Sequence, residues 1–453
     1  MAEMRCFKSY DIRGRVGEDL DEDIAYRIGR AFVQVVAPRA VVLGRDVRSS
    51  SPMLQAAIAR GVTDEAADVL DLGLCGTEEV YFATDHLDAG GGLMVTASHN
   101  PIGDNGVKLI GPGGRPISRK NGLAAMEAMV RADGFGPAAG GGSVREVDPR
   151  AAYVGRVLSF VDMSALKPAT VLVNAGNGAA GPTFDAIAAA MADAPVEFVR
   201  IHHAPDSSFP NGIPNPLLSE NRPVTAEAVR THGADLGVAW DGDFDRCFLF
   251  DETGAFVDGE YIVGLLAAAM LARSPGGAVV HDPRVMWNTT RIVEAAGGVA
   301  VASKTGHALI KETMRAVDAV YGGEMSAHHY FRDFLYCDSG MIPWLLVLAL
   351  MSTTEQPLSA LVAEMRARHP SSGEVNFHLA DPAAAMTAIE AEFAASAEID
   401  RLDGLSASFP DWRFNLRVSN TETVVRLNVE TRGDAQLLAD RTAALSKRLR
   451  AFA

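Results

Sequence analysis

Three times along the chain an apolar strand, a helix and a second apolar strand follow one another with short connections. The first set opens with Val41-Val42-Leu43-Gly44-Arg45-Asp46, continues in a helix from about Ser51 to Asp68, and closes with Val69-Leu70-Asp71-Leu72. The second runs from Val171-Leu172-Val173-Asn174 through a helix over Pro182 to Ala192 into Val196 to Ile201. The third runs from Ala278-Val279-Val280-His281-Asp282 through Asn288 to Ala296 into Val299-Ala300-Val301. Strand, helix and strand in that order make a right-handed parallel crossover. Each set then reaches a further apolar strand ending in a polar loop: Leu93-Met94-Val95, Leu236 to Trp240, and Ala319-Val320-Tyr321. In open α/β sheets chemistry gathers past the carboxyl ends of strands. The pattern therefore predicts three related α/β domains with mixed, largely parallel sheets, and it points to three loops. The tail differs. Trp412, Phe414, Leu416 and Val418 alternate with Arg413, Asn415 and Arg417, and Val425, Leu427 and Val429 alternate with Arg426, Asn428 and Glu430. That alternation predicts a half-buried antiparallel hairpin. A helix from about Ala435 to Leu449 would cover it, giving a C-terminal α+β domain.

Boundaries follow composition. The glycine-rich stretch Gly134 to Gly142 is expected as a flexible connection. The expected domains are 1–145, 146–252, 253–369 and 370–453. Acidic residues outnumber basic ones 57 to 41, a formal charge of −16. Such a chain does not grip nucleic acid or an anionic membrane non-specifically, so an anionic substrate needs a local basic pocket. Cys6, Cys75, Cys247 and Cys337 lack metal-site or disulfide spacing. That usage and the absence of an apolar N-terminal core suggest a cytoplasmic protein. The longest apolar run, Met341 to Met351, is too short for a bilayer and contains Pro343.

The loops carry recognisable chemistry. Thr96-Ala97-Ser98-His99-Asn100-Pro101 presents a hydroxyl at the end of a strand. A serine beside a histidine is most often an ordinary loop pair. Asp241-Gly242-Asp243-Phe244-Asp245-Arg246 sets three carboxylates at alternate positions, on one side of an extended backbone. Their mutual repulsion calls for a divalent cation, and oxygen ligands favour Mg²⁺ or a similar hard ion. An EF-hand also begins this way, with Glu252 at its twelfth position. Arg246 stands where that loop needs glycine, and strand-like flanks replace its helices. Gly323-Glu324-Met325-Ser326-Ala327-His328-His329 offers a carboxylate, a hydroxyl and an imidazole for sugar hydroxyls. Arg417-Val418-Ser419-Asn420-Thr421-Glu422-Thr423, at the hairpin turn, has the composition of a phosphate nest or of a decorated β-turn.

Taken together, these segments resemble the α-D-phosphohexomutases, the phosphoglucomutase/phosphomannomutase family. The opening Tyr10-Asp11-Ile12-Arg13-Gly14 is similar to that family as well. The resemblance covers all four expected domains, which it implies surround a central cleft. It implies that Ser98 is the phosphoserine and that Ser98, Asp241, Asp243 and Asp245 hold Mg²⁺. Arg246 would neutralise the transferring phosphoryl group, with Tyr10 and Arg13 reaching in beside it. His99 and Lys108 are candidates for proton transfer or charge stabilisation. Glu324, Ser326 and His328 would meet sugar hydroxyls, and Lys304 to His307 resembles a segment that closes on the sugar. Arg417, Ser419, Asn420 and Thr421 would hold the non-reacting phosphate, and Arg284 would line the cleft. Gly-Glu-Met-Ser-Ala-His with Tyr330-Phe331-Arg332-Asp333-Phe334 looks like the branch acting on mannose phosphates. The implied reaction interconverts mannose 6-phosphate and mannose 1-phosphate through a hexose 1,6-bisphosphate, in a monomer or homodimer. Glucose phosphates are an alternative substrate. Rival classes are a serine hydrolase, which would leave the aspartates idle, and a non-catalytic sugar-phosphate sensor, which would not need them. The chain departs from the family's pattern at Phe244, where glycine is usual, and at Val418 and Thr423. Phe244 is expected to turn its side chain away from the ion and to stiffen the loop.

Overall fold

The computed structural model describes residues 4–418 and 424–452. The chain forms two compact units, Met1–Phe256 with His328–Glu355, and Val257–Ala327 with Gln356–Ala453.

In the first unit, one sheet runs in the order Ile12–Arg15, Asp104–Gly111, Gly90–Val95, Ala40–Arg45, Asp68–Leu74, Val144–Glu146. Strand Ala40–Arg45 pairs parallel with both Asp68–Leu74 and Gly90–Val95, while Asp104–Gly111 pairs antiparallel. The crossover strands are parallel as the pattern requires, and Asp104–Gly111 with Ile12–Arg15 makes the sheet mixed. Helix Ser51–Asp64 stops four residues short of the expected end. Ala66, at φ +63°, turns the chain there without a glycine or proline to signal it. The glycine stretch is anchored: Gly140 N–H donates to the Asp64 carbonyl at 3.0 Å and Gly142 N–H to that of Thr63 at 3.3 Å. Strand Val144–Glu146 then joins the sheet edge, parallel to Asp68–Leu74.

A second sheet aligns Cys247–Phe250, Leu236–Trp240, Ala169–Asn174 and Val196–Ile201. Its last three strands are parallel, and Leu236–Trp240 turns back antiparallel into Cys247–Phe250. The aspartate loop is this turn. A short antiparallel hairpin, His329–Phe331 with Cys337–Asp338, completes the unit beside helix Met341–Thr354. That helix is apolar on all sides and largely buried, and Pro343 sits in its first turn, where the missing N–H loses nothing. Among the described residues no single helix is long and apolar enough to cross a membrane.

In the second unit, strands Val299–Ala302, Ala278–His281 and Tyr321–Gly323 lie parallel. A five-stranded antiparallel sheet follows in the order Ser371–His378, Val424–Thr431, Trp412–Val418, Leu405–Ser408, Glu398–Asp400. Its apolar face carries Phe414, Leu416, Leu427 and Val429 in a core shared with Leu445 and Leu449. Its other face is not half-exposed as the alternation suggests. Arg413, Asn415, Asn428 and Glu430 are all buried. Arg413 Nη1 pairs with Glu430 Oε1 at 2.7 Å, and its Nη2 donates to the Pro283 carbonyl at 2.9 Å. Glu430 also accepts from the backbone N–H groups of Met286 and Trp287. Alternation marks a face as polar, and only the partners decide whether water or protein covers it.

Candidate active site

Strand Gly90–Val95 delivers the serine loop, and a local hydrogen bond shapes it: Ser98 N–H donates to Thr96 Oγ1 at 2.9 Å. Ser98 takes the left-handed conformation, φ +49°, uncommon for a residue with a Cβ and frequent at functional turns. Arg48, buried at the start of the first crossover, holds the loop. Its guanidinium donates to four carbonyls, those of Ser98 and Asn100 at 3.0 and 2.6 Å and those of Pro101 and Asp104 at 2.9 and 3.0 Å. Nothing in the sequence marked Arg48.

The aspartate loop meets the serine loop backbone to backbone. A Cβ at Gly242 would lie 2.6 Å from the Ser98 carbonyl oxygen, so only glycine permits the approach. The Ser98 hydroxyl donates to Asp241 Oδ2 at 2.6 Å and lies 2.9 Å from His99 Nδ1. With that proton engaged, His99 contributes its own N–H from Nδ1. Burial, with Arg246 and Arg13 adding their charge, lowers His99 well below the ordinary imidazole range, so the ring is neutral. Arg13 donates to Asn100 Oδ1 at 2.7 Å and to Asp11 at 2.8 Å. Tyr10 is half-buried in the turn before it.

Lys108 reaches across from strand Asp104–Gly111. Its ammonium is 2.6 Å from Asp243 Oδ2, 2.5 Å from Asp245 Oδ2 and 3.2 Å from Thr77 Oγ1. Burial alone would lower Lys108 and raise the carboxylates. For Lys108 the two aspartates outweigh burial, and its pKa rises. For Asp243 the lysine's charge and hydrogen bonds outweigh burial, and its pKa falls. Asp245 lacks that balance: burial and the Asp243 charge push it up to about 6. Arg246 Nε stands 3.8 Å from Asp241 Oδ2.

Each aspartate turns its second oxygen elsewhere. Oδ1 of Asp241, Asp243 and Asp245 is buried without a hydrogen-bond partner among the described residues. Ligand atoms of the three lie within 4.8 Å of one another, a set suited to a metal ion. Three orphaned carboxylate oxygens beside a serine hydroxyl are the donor set of a hard divalent cation.

His328 belongs to this unit, whereas Glu324 and Ser326 fall in the other. Its Nδ1 lies 2.9 Å from Asp338 Oδ2 and 3.9 Å from Asp245 Oδ1. Burial and Arg246 lower its pKa, but the two carboxylates prevail and raise it. Asp338 had no sequence signal.

The second unit assembles a basic cluster. Arg284 is buried and locked by Asp282, through Nε at 3.1 Å and Nη2 at 2.7 Å. Its Nη2 also reaches Ser326 Oγ at 3.3 Å and Glu324 Oε2 at 3.6 Å. Arg284, Arg417 and Arg426 share one carboxylate, Glu374, at 3.4, 3.5 and 3.6 Å. Arg417 is 7% exposed, with a buried Nε that has no hydrogen-bond partner among the described residues. The segment from Lys304 to His307 touches the cluster through Gly306, whose N–H donates to Glu324 Oε2 at 3.2 Å. Lys304 itself is exposed, and His307 opens helix His307–Val317. Ser419, Asn420, Thr421 and Thr423 lie outside the described residues. Glu374 has no sequence signal, and the alternation marks Arg426 only as a polar residue of the hairpin. Asp282 ends a crossover strand and was findable by the strand-end rule.

Known proteins resemble the chain along nearly its whole length. The phosphoglucomutase/phosphomannomutase alpha/beta/alpha domains I, II and III match residues 4–135, 151–254 and 258–369, and the C-terminal domain of that family matches 374–447. A protein of Salmonella typhimurium named phosphomannomutase is 58% identical over 450 residues, covering 98% of this chain and 99% of the relative. One of Xanthomonas campestris pv. campestris named phosphohexose mutases is 56% identical over 446 residues, covering 98% and 99%. A solved phosphoglucomutase/phosphomannomutase family protein from Burkholderia thailandensis superposes with a TM-score of 0.88 at 32% identity, covering 100% of this chain and 98% of that one.

Proposed function

The chain belongs to the phosphoglucomutase/phosphomannomutase family, and we propose that it interconverts mannose 6-phosphate and mannose 1-phosphate by phosphoryl transfer at Ser98. The observation that carries the reading is the Ser98 hydroxyl, 2.6 Å from Asp241 within a buried triplet of carboxylates. A phosphate on Ser98 would pass to the free sugar oxygen. The Ser98 O–P bond breaks as the sugar O–P bond forms, and the proton that the sugar hydroxyl gives up is balanced by the one that the departing Ser98 oxygen takes on. The resulting hexose 1,6-bisphosphate returns its other phosphate to Ser98. Asp241, Asp243 and Asp245 would hold Mg²⁺, which when bound neutralises charge on the phosphoryl oxygens. Arg246 adds a fixed positive charge beside Asp241. Lys108 fixes two of the three carboxylates, and neutral His99, 2.9 Å from the serine oxygen, would exchange a proton there. Glu324 and Ser326 would take sugar hydroxyls, and Arg417 with Arg426 a phosphate that is not reacting.

A second reading, activity on glucose phosphates as well, is favoured by the relative named phosphohexose mutases. Coupled assays with mannose 1-phosphate and glucose 1-phosphate measure the preference. Intact-mass analysis should show a species heavier by one phosphate that Ser98→Ala lacks, and Ser98→Ala should lose exchange while keeping its fold. A phosphate mapped to another residue sinks the mechanism.

A further inference from the structure

The second unit has a basic recess that the transfer chemistry leaves unused. Helix Trp287–Ala295, the end of helix Leu358–Arg368 and the turn at Arg432 surround an open cavity of about 590 Å³. Arg291, Arg368, His369 and Arg432 line it, against a single carboxylate, Glu364. None of these residues belongs to the cluster around Glu374. In a chain of net charge −16, three guanidiniums around one concavity stand out from the average surface.

The walls are ordered. Glu364 is engaged by Arg368, Nε to Oε1 at 2.7 Å. The Arg432 guanidinium stacks on the Trp287 ring, 4.0 Å from its centroid, and its Nε donates to the Pro410 carbonyl at 3.0 Å. Gly433 N–H ties the turn to the Arg368 carbonyl at 2.8 Å. Two buried polar atoms at the recess lack hydrogen-bond partners among the described residues, Arg291 Nε and His369 Nδ1. His369 is itself only 6% exposed. Buried polar atoms are normally satisfied, and exceptions ask for an explanation. A multidentate acceptor would supply one. Planar guanidiniums suit phosphate oxygens, which take paired hydrogen bonds.

We propose that this recess is a binding site for a phosphate-type polyanion, distinct from the sugar-phosphate cluster around Arg284 and Arg417. Arg291, Arg368 and Arg432 supply the positive charge, His369 lines the recess beside them, and the Trp287 ring backs Arg432.

Equilibrium dialysis of the full chain with labelled inorganic pyrophosphate, without added metal, tests the site. An Arg417→Ala background weakens the other phosphate cluster. Saturable binding should persist there, should weaken at least about tenfold, the loss of one charge-assisted bond, when Arg291→Gln is added, and should weaken further with Arg432→Gln. Arg291→Lys keeps the charge and should retain more affinity than Arg291→Gln. Circular-dichroism melts of each variant show that the fold is intact, and Arg291→Gln alone serves if the pair fails to fold. No saturable binding in the Arg417→Ala background, or binding that Arg291→Gln leaves unchanged, overturns the proposal.

Discussion

Replacing Lys108 by methionine tests what holds the aspartate loop together. Methionine keeps most of the side-chain volume and removes the ammonium that lies 2.6 Å from Asp243 and 2.5 Å from Asp245. Stranding one side of a buried ion pair costs about 3–5 kcal/mol. Proton uptake limits that loss. Asp245 already sits at about 6 with the ammonium beside it and rises further without it, so neutralising it at pH 7.5 costs at most about 2 kcal/mol, at about 1.4 kcal/mol per pH unit. In excess chelator Lys108→Met should therefore be less stable than the parent by about 2–4 kcal/mol. A divalent cation replaces the lost charge. Mg²⁺ at a hundredfold its dissociation constant should return about 2.7 kcal/mol. The parent should gain less at the same concentration, because there the ion shares two carboxylates with the ammonium. Urea unfolding followed by fluorescence, with chelator and with Mg²⁺, measures both numbers. Trp240 and Trp344, both buried in this unit, report on it. Equal stability of variant and parent in chelator would refute the role given to Lys108. Equal gain from Mg²⁺ would refute the idea that ion and ammonium use the same carboxylates.

Truncating Arg417 to alanine removes a charge-assisted hydrogen bond worth about 1.5–3 kcal/mol, so KM for both sugar 1- and 6-phosphates should rise about ten- to a hundredfold; an unchanged KM removes Arg417 from phosphate binding. Phe244→Gly relieves a left-handed backbone costing about 1–2 kcal/mol but empties a ring site worth about 3–5 kcal/mol, so denaturant melts should show a net loss of about 1–4 kcal/mol. A variant as stable as the parent would mean that the ring packs nothing. Glu260, buried beside Asp258, is raised by burial and that neighbour's charge to about 8. Folded protein then holds a proton that the unfolded chain lacks between about pH 4.3 and the raised value, so stability from this group falls as pH rises, by up to about 1.4 kcal/mol per unit. Glu260→Gln should remove that slope between pH 5 and 8, and an identical pH profile for variant and parent would show that Glu260 titrates normally when folded.

The sequence made the chemistry more legible than the support for it. Ser98, Asp241 and Arg417 stand in loops or strand ends fixed by hydrophobic periodicity, so their segments could be located without coordinates. Their supports could not. Arg48 acts on carbonyl oxygens, which every residue has, so no pairing rule points to it. Asp338 and His328 meet across a hairpin too short to leave a periodic trace. Glu374 lies within edge strand Ser371–His378, and nothing in the sequence ties it to Arg417 and Arg426, which pair across one hairpin, or to the distant Arg284. The end of helix Ser51–Asp64 was missed because an alanine adopts the conformation that glycine usually marks.

Position 244 shows why a departure from a motif needs its partner to be understood. The loop requires φ near +45° there, which explains why glycine suits the position. Phenylalanine accepts the strain and is fully buried, its ring lying where a Cβ on Gly76 would be 2.2 Å away. Gly76 precedes helix Thr77–His86. Thr77 N–H donates to the Asp243 carbonyl at 3.1 Å, and its hydroxyl donates to Asp243 Oδ2 at 2.6 Å. The ring thus clamps the aspartate loop onto a helix N-terminus, whose partial positive charge favours the Asp243 carboxylate. Burying a phenyl side chain contributes about 1.5–3 kcal/mol, enough to offset a strain of about 1–2 kcal/mol. A glycine at 76 and an aromatic ring at 244 therefore act as one feature. The loop gains a fixed seat, and Asp243 meets Lys108 and the helix start in a geometry set before any substrate arrives.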